Sequence, residues 1–226
     1  MLLLAANPVF GADVPHSNRS VAAYKNAETQ LQPRLEAKQM RLGQNVFIRI
    51  FKQENELEVW LNTDRGFELF QTWPIAAFSG RIGPKTRQGD NQAPEGFYFV
   101  PPARMNPWSS YHLSFNLGYP NSFDRAYGRD GSFLMVHGDS VSIGCYAMTD
   151  PVIEEIWTLM EAAFKNGQPF IRVHAFPFRM TRDNMELYGQ GPWQDFWINL
   201  KEGFDFFENS RMVPNVTVQN KQYEFE

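Results

Sequence analysis

The feature that most constrains this chain is the succession of short apolar runs between residues 46 and 73. Residues 46–51 read VFIRIF, residues 57–61 read LEVWL and residues 67–73 read FELFQTW, with polar turns between them. Runs this short, rich in β-branched and aromatic side chains, predict strands rather than helices, and three in succession predict a β meander. A meander must cover at least one face. The chain has 226 residues, enough to bury roughly 70% of the surface its unfolded form exposes without a disulfide or metal. Further strands are predicted at 97–100, 131–138 and 169–178.

Helices are fewer. Asp150 is an N-cap candidate, Pro151 takes the first helical position, and Val152, Ile153, Ile156, Trp157, Met160 and Phe164 keep helical spacing before Gly167 ends the run. A second helix opens at Gly191-Pro192, with Phe196, Leu200, Phe204 and Phe207 on one face. Residues 18–42 are polar and helix-prone, with an interruption predicted at Pro33. The fold class is therefore mostly β (α+β), with peripheral helices. The chain divides into an apolar start at 1–12, a helical segment at 18–44, a β-rich domain at 45–181 and an extension at 182–226 that is expected to be helical. That extension holds 4 basic and 8 acidic residues, which accounts for the whole net charge of −4.

Composition excludes several classes. With 43% hydrophobic and 15% aromatic residues, the chain is not disordered. Its 21 basic against 25 acidic residues argue against a nucleic-acid partner. His16, His112, His137 and His174 have no metal-ligand spacing, and a single cysteine makes no paired-thiol site, so neither metal nor cofactor is expected. No apolar run reaches the roughly 18 residues of a membrane span. The start, MLLLAANPVFGA, is similar to the end of a signal-peptide apolar region with small residues suited to cleavage, although the basic segment that should precede it is missing. The alternative is a plain apolar terminus.

Two segments carry chemistry. Residues 79–96, SGRIGPKTRQGDNQAPEG, form a long glycine- and proline-rich loop, and loops beyond about 12–15 residues in compact domains are often functional. Residues 137–145, HGDSVSIGC, bring a strand-end histidine within a turn of the only cysteine. A cysteine nucleophile needs a base to make its thiolate and backbone N–H groups aimed at the developing oxyanion. Gly144 permits a carbonyl to approach the backbone beside Cys145. On these residues alone Cys145 is either a nucleophile or a buried small hydrophobe. His137 is either its base or a structural hydrogen-bonder.

These motifs resemble a family. HG followed by S-x-G-C is similar to the active-site motif of the L,D-transpeptidase catalytic domain, the YkuD type. Upstream, Gly83-Pro84-Lys85, Gly89-Asp90 and Pro94-Glu95-Gly96-Phe97-Tyr98 resemble that family's G-x-K…T-P-x-G-x-Y/F signature. The resemblance covers roughly residues 45–176. The run HGDSVSIGCYAMT, the Tyr-Pro-Asn turn at 119–121 and Pro177-Phe178-Arg179-Met180-Thr181 most resemble a Gram-negative periplasmic subgroup, the YafK type. It includes an enzyme that detaches Braun's lipoprotein from peptidoglycan.

The resemblance implies a β sandwich or barrel with Cys145 as nucleophile, His137 as base and the Gly138 carbonyl orienting that histidine. The Gly144 and Cys145 N–H groups would form the oxyanion hole. Candidate substrate-binding residues are Lys85, Arg87, His112, Ser142, Tyr146 and Arg179. For the three cations an ordinary surface charge is the competing reading, and His112 also reads as structural. His174, alternating with Arg172, is expected to be exposed or structural, and Asp90 and Glu95 read as turn residues.

Two departures stand out. Ile143 occupies the place of a second histidine, and Ala147 that of an arginine; the histidine-to-cysteine spacing is also short. The implied reaction is acyl transfer through a thioester at the L-centre carbonyl of diaminopimelate in the stem peptides. Water as acceptor would make the protein a hydrolase that releases lipoprotein, and an amine would make it a transpeptidase. A non-catalytic envelope-binding module using the same cleft is the alternative from another class.

Overall fold

The structure, a computed structural model, describes residues 13–226; the predicted signal-peptide remnant lies outside the described residues. In chain order the elements are α1 (Asn18–Ala37), β1 (Val46–Phe51), β2 (Glu56–Thr63), β3 (Gly66–Pro74), β4 (Ala77–Phe78), β5 (Gly96–Val100), β6 (Met105–Asn106) and β7 (Ser114–Asn116). Then follow α2 (Ser122–Ala126), β8 (Met135–His137), β9 (Tyr146–Ala147), α3 (Asp150–Lys165), β10 (Ile171–Phe176), α4 (Arg182–Tyr188), α5 (Gln194–Ser210), β11 (Val216–Gln219) and β12 (Gln222–Phe225). About a third of the chain is helical and about a quarter is strand, an α+β arrangement.

The meander forms as its pattern requires and makes three strands of a five-stranded sheet of order β3-β2-β1-β10-β5, in which only β1 and β10 run parallel. A second five-stranded sheet has the order β4-β9-β8-β7-β6, with β8 and β9 parallel. Each sheet keeps two free edges, so there is no closed barrel.

The first sheet is buried on both faces. Along β10, Ile171, Val173 and Ala175 enter the main core with Ile48 and Ile50 of β1 and Trp157 of α3. Phe176 points the other way, into an aromatic cluster with Phe51, Phe97, Phe178 and Phe204. Burial on both faces explains why 46–51, Arg49 apart, reads as an apolar run instead of an alternating one. Arg49, on the second face, is tolerated there because its guanidinium meets Glu58 at 2.9 Å and Glu208 at 2.6 Å. α5 closes that face with Phe204 and Phe207, each of which would cost about 3–5 kcal/mol to truncate to alanine.

Four details differ from expectation. α1 runs through Pro33 to Ala37. The ring sits on the exposed side, where the carbonyl it displaces reaches water, while Leu31 and Leu35 on the packed side and the Arg34–Glu155 pair at 2.7 Å hold the helix in place. The α3 N-cap is Thr149, not Asp150. β8 begins only at Met135, because Gly131 (φ +142°) and Phe133 (φ +57°) bend the preceding residues out of strand geometry. The extension at 182–226 is not wholly helical. Its last residues form a hairpin whose turn, Asn220-Lys221, has both residues at positive φ, as a two-residue turn matching strand twist requires.

Candidate active site

β8 delivers His137 and β9 follows directly from Cys145. The two strands are parallel neighbours, with Val136 opposite Tyr146 and His137 opposite Ala147. Side chains alternate along a strand and match across a ladder, so Cys145 and His137 project from the same face as diagonal neighbours. The intervening loop 138–144 is held at three points. The Asp139 N–H donates to Asp150 Oδ1 at 2.7 Å, Ser142 Oγ donates to the Cys145 carbonyl at 2.6 Å, and the Gly144 N–H donates to Ser142 Oγ at 3.3 Å. Gly144 has φ +123°, a conformation that excludes a side chain. Asp150, freed from capping its helix, is thereby the brace between α3 and the loop.

The imidazole is buried and its Nδ1 lies 2.5 Å from the Gly138 carbonyl. A carbonyl only accepts, so Nδ1 carries the hydrogen and Nε2 presents a lone pair. The ring of Tyr111 lies against the imidazole, with centroids 4.7 Å apart and planes at 32°. Burial pushes the His137 pKa below its ordinary 6.5, against the Gly138 carbonyl and Asp139, which both raise it. Burial likewise pushes the Cys145 thiol above its usual value, against the Met135 N–H and the charge of Lys85. Both groups are therefore neutral at rest. Sγ receives the Met135 N–H at 3.4 Å and donates to the Phe133 carbonyl at 3.5 Å. Among the described residues no hydrogen bond joins Sγ to the imidazole; a side-chain rotation would redirect the thiol.

The remaining predicted residues divide. Gly138 is tightly enclosed: a Cβ there would lie 2.5 Å from Asp150 Oδ1 and 3.0 Å from the Tyr111 carbonyl. His112 braces the same turn from outside, its Nε2 2.7 Å from Glu154 Oε1. Lys85 is buried and donates to Asp90 Oδ1 at 2.6 Å and to the Arg87 carbonyl at 2.8 Å. Burial works against the Asp90 charge, yet hydrogen bonds from Lys85, Thr86, Gln92 and Arg87 hold its pKa at about 2. Lys85 and Asp90 thus shape the glycine-rich loop, and the lysine's charge reaches Cys145 through space. Arg87 is exposed, and among the described residues its guanidinium makes no hydrogen bond or ion pair.

Two of the candidate substrate-binding residues are engaged with the protein itself. Tyr146 is wholly buried, with its hydroxyl on the Pro94 carbonyl at 2.6 Å, because β9 turns it into the core. It supports the loop from behind and is not accessible to substrate. Arg179 gives its guanidinium to Glu56 at 2.5 Å and Glu58 at 2.7 Å, at the end of the first sheet.

Sequence reasoning missed two residues. Tyr111 gave no signal beyond its adjacency to His112. Glu95, read as a turn residue, is fully buried. Its carboxylate accepts from Lys52 Nζ at 3.0 Å, the Gly83 N–H at 2.6 Å and Trp197 Nε1 at 2.9 Å, tying both ends of the glycine-rich loop to β1 and α5.

A buried imidazole with one free nitrogen, a thiol on the same face and a glycine at positive φ beside it are the groups that cysteine acyl-transfer chemistry requires. Residues 45–194 match the model of the YkuD L,D-transpeptidase catalytic domain. The chain is 45% identical over 188 residues to YafK of Escherichia coli (strain K12), a protein provisionally named as an L,D-transpeptidase. The alignment covers 83% of this chain and 76% of that protein, and the same figures hold for YafK of Escherichia coli O157:H7. The chain belongs to the L,D-transpeptidase catalytic domain family.

Among solved structures it is similar to the helical cell shape determining protein Pgp2 (K307A mutant) from Campylobacter jejuni, with TM-score 0.47 and 20% identity, over 71% of this chain and 56% of that one. It is also similar to Bd1075 of Bdellovibrio bacteriovorus, with TM-score 0.44 and 19% identity, over 82% of this chain and 86% of that one.

Proposed function

We propose that the protein is a cysteine-dependent peptidoglycan hydrolase. It acts at the L-centre carbonyl of diaminopimelate and releases a lipoprotein joined there through its terminal lysine. The observation that carries this reading is the placement of Cys145 and His137 on one face, with the imidazole held by Gly138 so that Nε2 is the free base. Nε2 takes the thiol proton as Sγ attacks the carbonyl. The tetrahedral oxyanion is stabilised by the Gly144 and Cys145 N–H groups, the former leaving its 3.3 Å bond to Ser142 Oγ. The imidazolium then gives its proton to the leaving amine, and a thioester remains. Water attacks the thioester, Nε2 takes its proton, and Sγ leaves and is reprotonated.

Hydrolysis is favoured over transfer by what surrounds the thiol. Ile143, 83% exposed, gives the mouth an apolar wall, and Ala147 is fully buried. Neither offers a polar group to dock an acceptor amine, and water needs no docking site. Arg87 is an exposed cation on the neighbouring loop that suits a stem-peptide carboxylate. The substrate places the protein in the periplasm of a Gram-negative envelope. Among the described residues no helix is long and apolar enough to cross a membrane. The family relationship supports the second reading, L,D-transpeptidation.

The test incubates wild-type and Cys145→Ala protein with lipoprotein-linked muropeptide and excess free stem-peptide acceptor, followed by mass spectrometry. Wild type should yield tripeptide-bearing muropeptide and free lipoprotein, and the variant nothing. Dimers joined between two diaminopimelate residues as the main product would replace the hydrolase reading with the second. Full activity in Cys145→Ala would refute the mechanism.

A further inference from the structure

Away from the cysteine, a cavity of about 500 Å³ opens on the outer face of the first sheet at its β5 edge, under the hairpin of β11 and β12. None of Lys85, His137 or Cys145 lines it. Arg104, Arg125 and Arg172 do, and no aspartate or glutamate does, in a chain whose net charge is −4.

These arginines are unlike the others that hold ion pairs. Arg34, Arg49, Arg65, Arg129, Arg179, Arg182 and Arg211 each meet a carboxylate. Among the described residues the three cavity arginines meet only neutral acceptors. Arg104 donates to the Phe99 carbonyl at 2.7 Å, Arg125 to the Pro120 carbonyl and to Ser122 Oγ, and Arg172 to Asn215 Oδ1 at 2.5 Å. Two are also held by rings: the Arg104 guanidinium lies 5.2 Å from the Phe99 centroid and that of Arg172 lies 5.1 Å from Phe170. Their directions are thus set in advance.

A second observation points to a ligand. His174, only 1% exposed, lines the same cavity, and among the described residues its buried Nδ1 has no hydrogen-bond partner. Buried polar atoms are nearly always paired, so an orphan on a residue that lines a cavity is an exception that calls for an explanation.

We propose that this cavity is a second binding site, for a peptide or glycopeptide fragment that carries at least two carboxylates. The volume suits a small organic ligand and exceeds what one compact anion fills. The Arg104 guanidinium lies against Gly118 and Arg125 donates to the Pro120 carbonyl two residues on, so these two form one cationic point. Arg172 is held instead by Asn215, at the base of the β11 hairpin, and so forms a point apart. Two cationic points joined by aromatic walls match a ligand with two anionic groups on an apolar or sugar frame, not a single phosphate. Peptidoglycan stem peptides have this character, so the choice of fragment rests on the function proposed above, while the site itself does not depend on Cys145.

The experiment follows the arginine Nε–H resonances of Cys145→Ala protein by NMR during titration with an unlinked disaccharide-tripeptide muropeptide. Arg104 and Arg172 should shift saturably. The same fragment with its carboxylates amidated should bind at least about tenfold more weakly, as should Arg104→Gln/Arg172→Gln protein of unchanged Tm. Should that double variant fail to fold, the exposed Arg125→Gln serves the same comparison. No saturable shift at these arginines at millimolar fragment, or equal shifts with inorganic phosphate, overturns the proposal. Arginine shifts in a protein whose wild type lacks turnover would sink the hydrolase reading and leave this site standing. Turnover without shifts would do the reverse.

Discussion

Replacing Glu95 by glutamine tests whether the loop beside the thiol is fastened by a single buried carboxylate. Glu95 and Lys52 are both 0% exposed in their side chains and lie 3.0 Å apart. Burial lowers the Lys52 pKa, and Glu95 opposes that effect. All three partners of the carboxylate, Lys52 Nζ, the Gly83 N–H and Trp197 Nε1, are donors. A glutamine keeps one acceptor oxygen and sets two N–H groups where an acceptor is needed, so at least one donor faces another. Removing one partner of a buried pair costs about 3–5 kcal/mol, a large share of a domain stability of about 5–15 kcal/mol. Urea unfolding should show this as a lower midpoint at unchanged slope. Glu56→Gln is the control. It removes one of two carboxylates from Arg179 at a half-exposed site and should cost under about 1 kcal/mol. Because the Pro94 carbonyl holds Tyr146 just behind Cys145, Glu95→Gln should also lower turnover in protein that remains folded. A loss below about 1 kcal/mol for Glu95→Gln would refute the reasoning.

Three further outcomes are expected. His137 must be neutral to take the thiol proton, and burial holds its pKa below 6.5, so kcat/KM should fall only in acid, with a midpoint below 6.5; a midpoint above neutrality would contradict the assignment. Burial also pushes His174 well below 6.5, so acid protonates the unfolded state first; stability present above 6.5 should be lost at about 1.4 kcal/mol per pH unit as pH falls, and unfolding of His174→Gln should show a slope flatter by that amount. In Gly138→Ala the new methyl must displace Asp150 or the Tyr111 carbonyl, costing about 1–3 kcal/mol and lowering kcat more than it raises KM.

The parts of this fold that were legible in the sequence are those governed by local pattern. The meander, the α3 face and the α5 aromatics each follow a simple period, and the turn 137–145 announces a histidine and a cysteine brought together. What stayed hidden depends on partners distant in the chain. Pro33 breaks an isolated helix but not one clamped by Leu31, Leu35 and Glu155. Glu95 looks like a turn residue until Trp197, 102 residues later, is placed upon it. Tyr146 sits beside the nucleophile in sequence, yet strand alternation sends it into the core. The closing hairpin was within reach, since Val216 and Val218 alternate with polar residues before Asn220-Lys221, but an acidic background and two preceding helices masked it.

The neutral state of both Cys145 and His137 bears on where the proposed enzyme can work. Thiolates, not thiols, react with oxidants and alkylating agents. Burial raises the Cys145 pKa and lowers that of His137, so the resting protein keeps its only cysteine as a thiol donating to the Phe133 carbonyl at 3.5 Å. Iodoacetamide should therefore label it slowly near neutral pH and faster only as the medium approaches the raised pKa. Rapid labelling at neutrality would show that a thiolate–imidazolium pair is already formed. Charge is needed only once a carbonyl lies against the Gly144 and Cys145 N–H groups. In the proposed mechanism the developing oxyanion and the protonated imidazole then stabilise each other. A free thiol that is activated only by its substrate is compatible with an oxidising envelope, where a permanently ionised cysteine would be lost to oxidation.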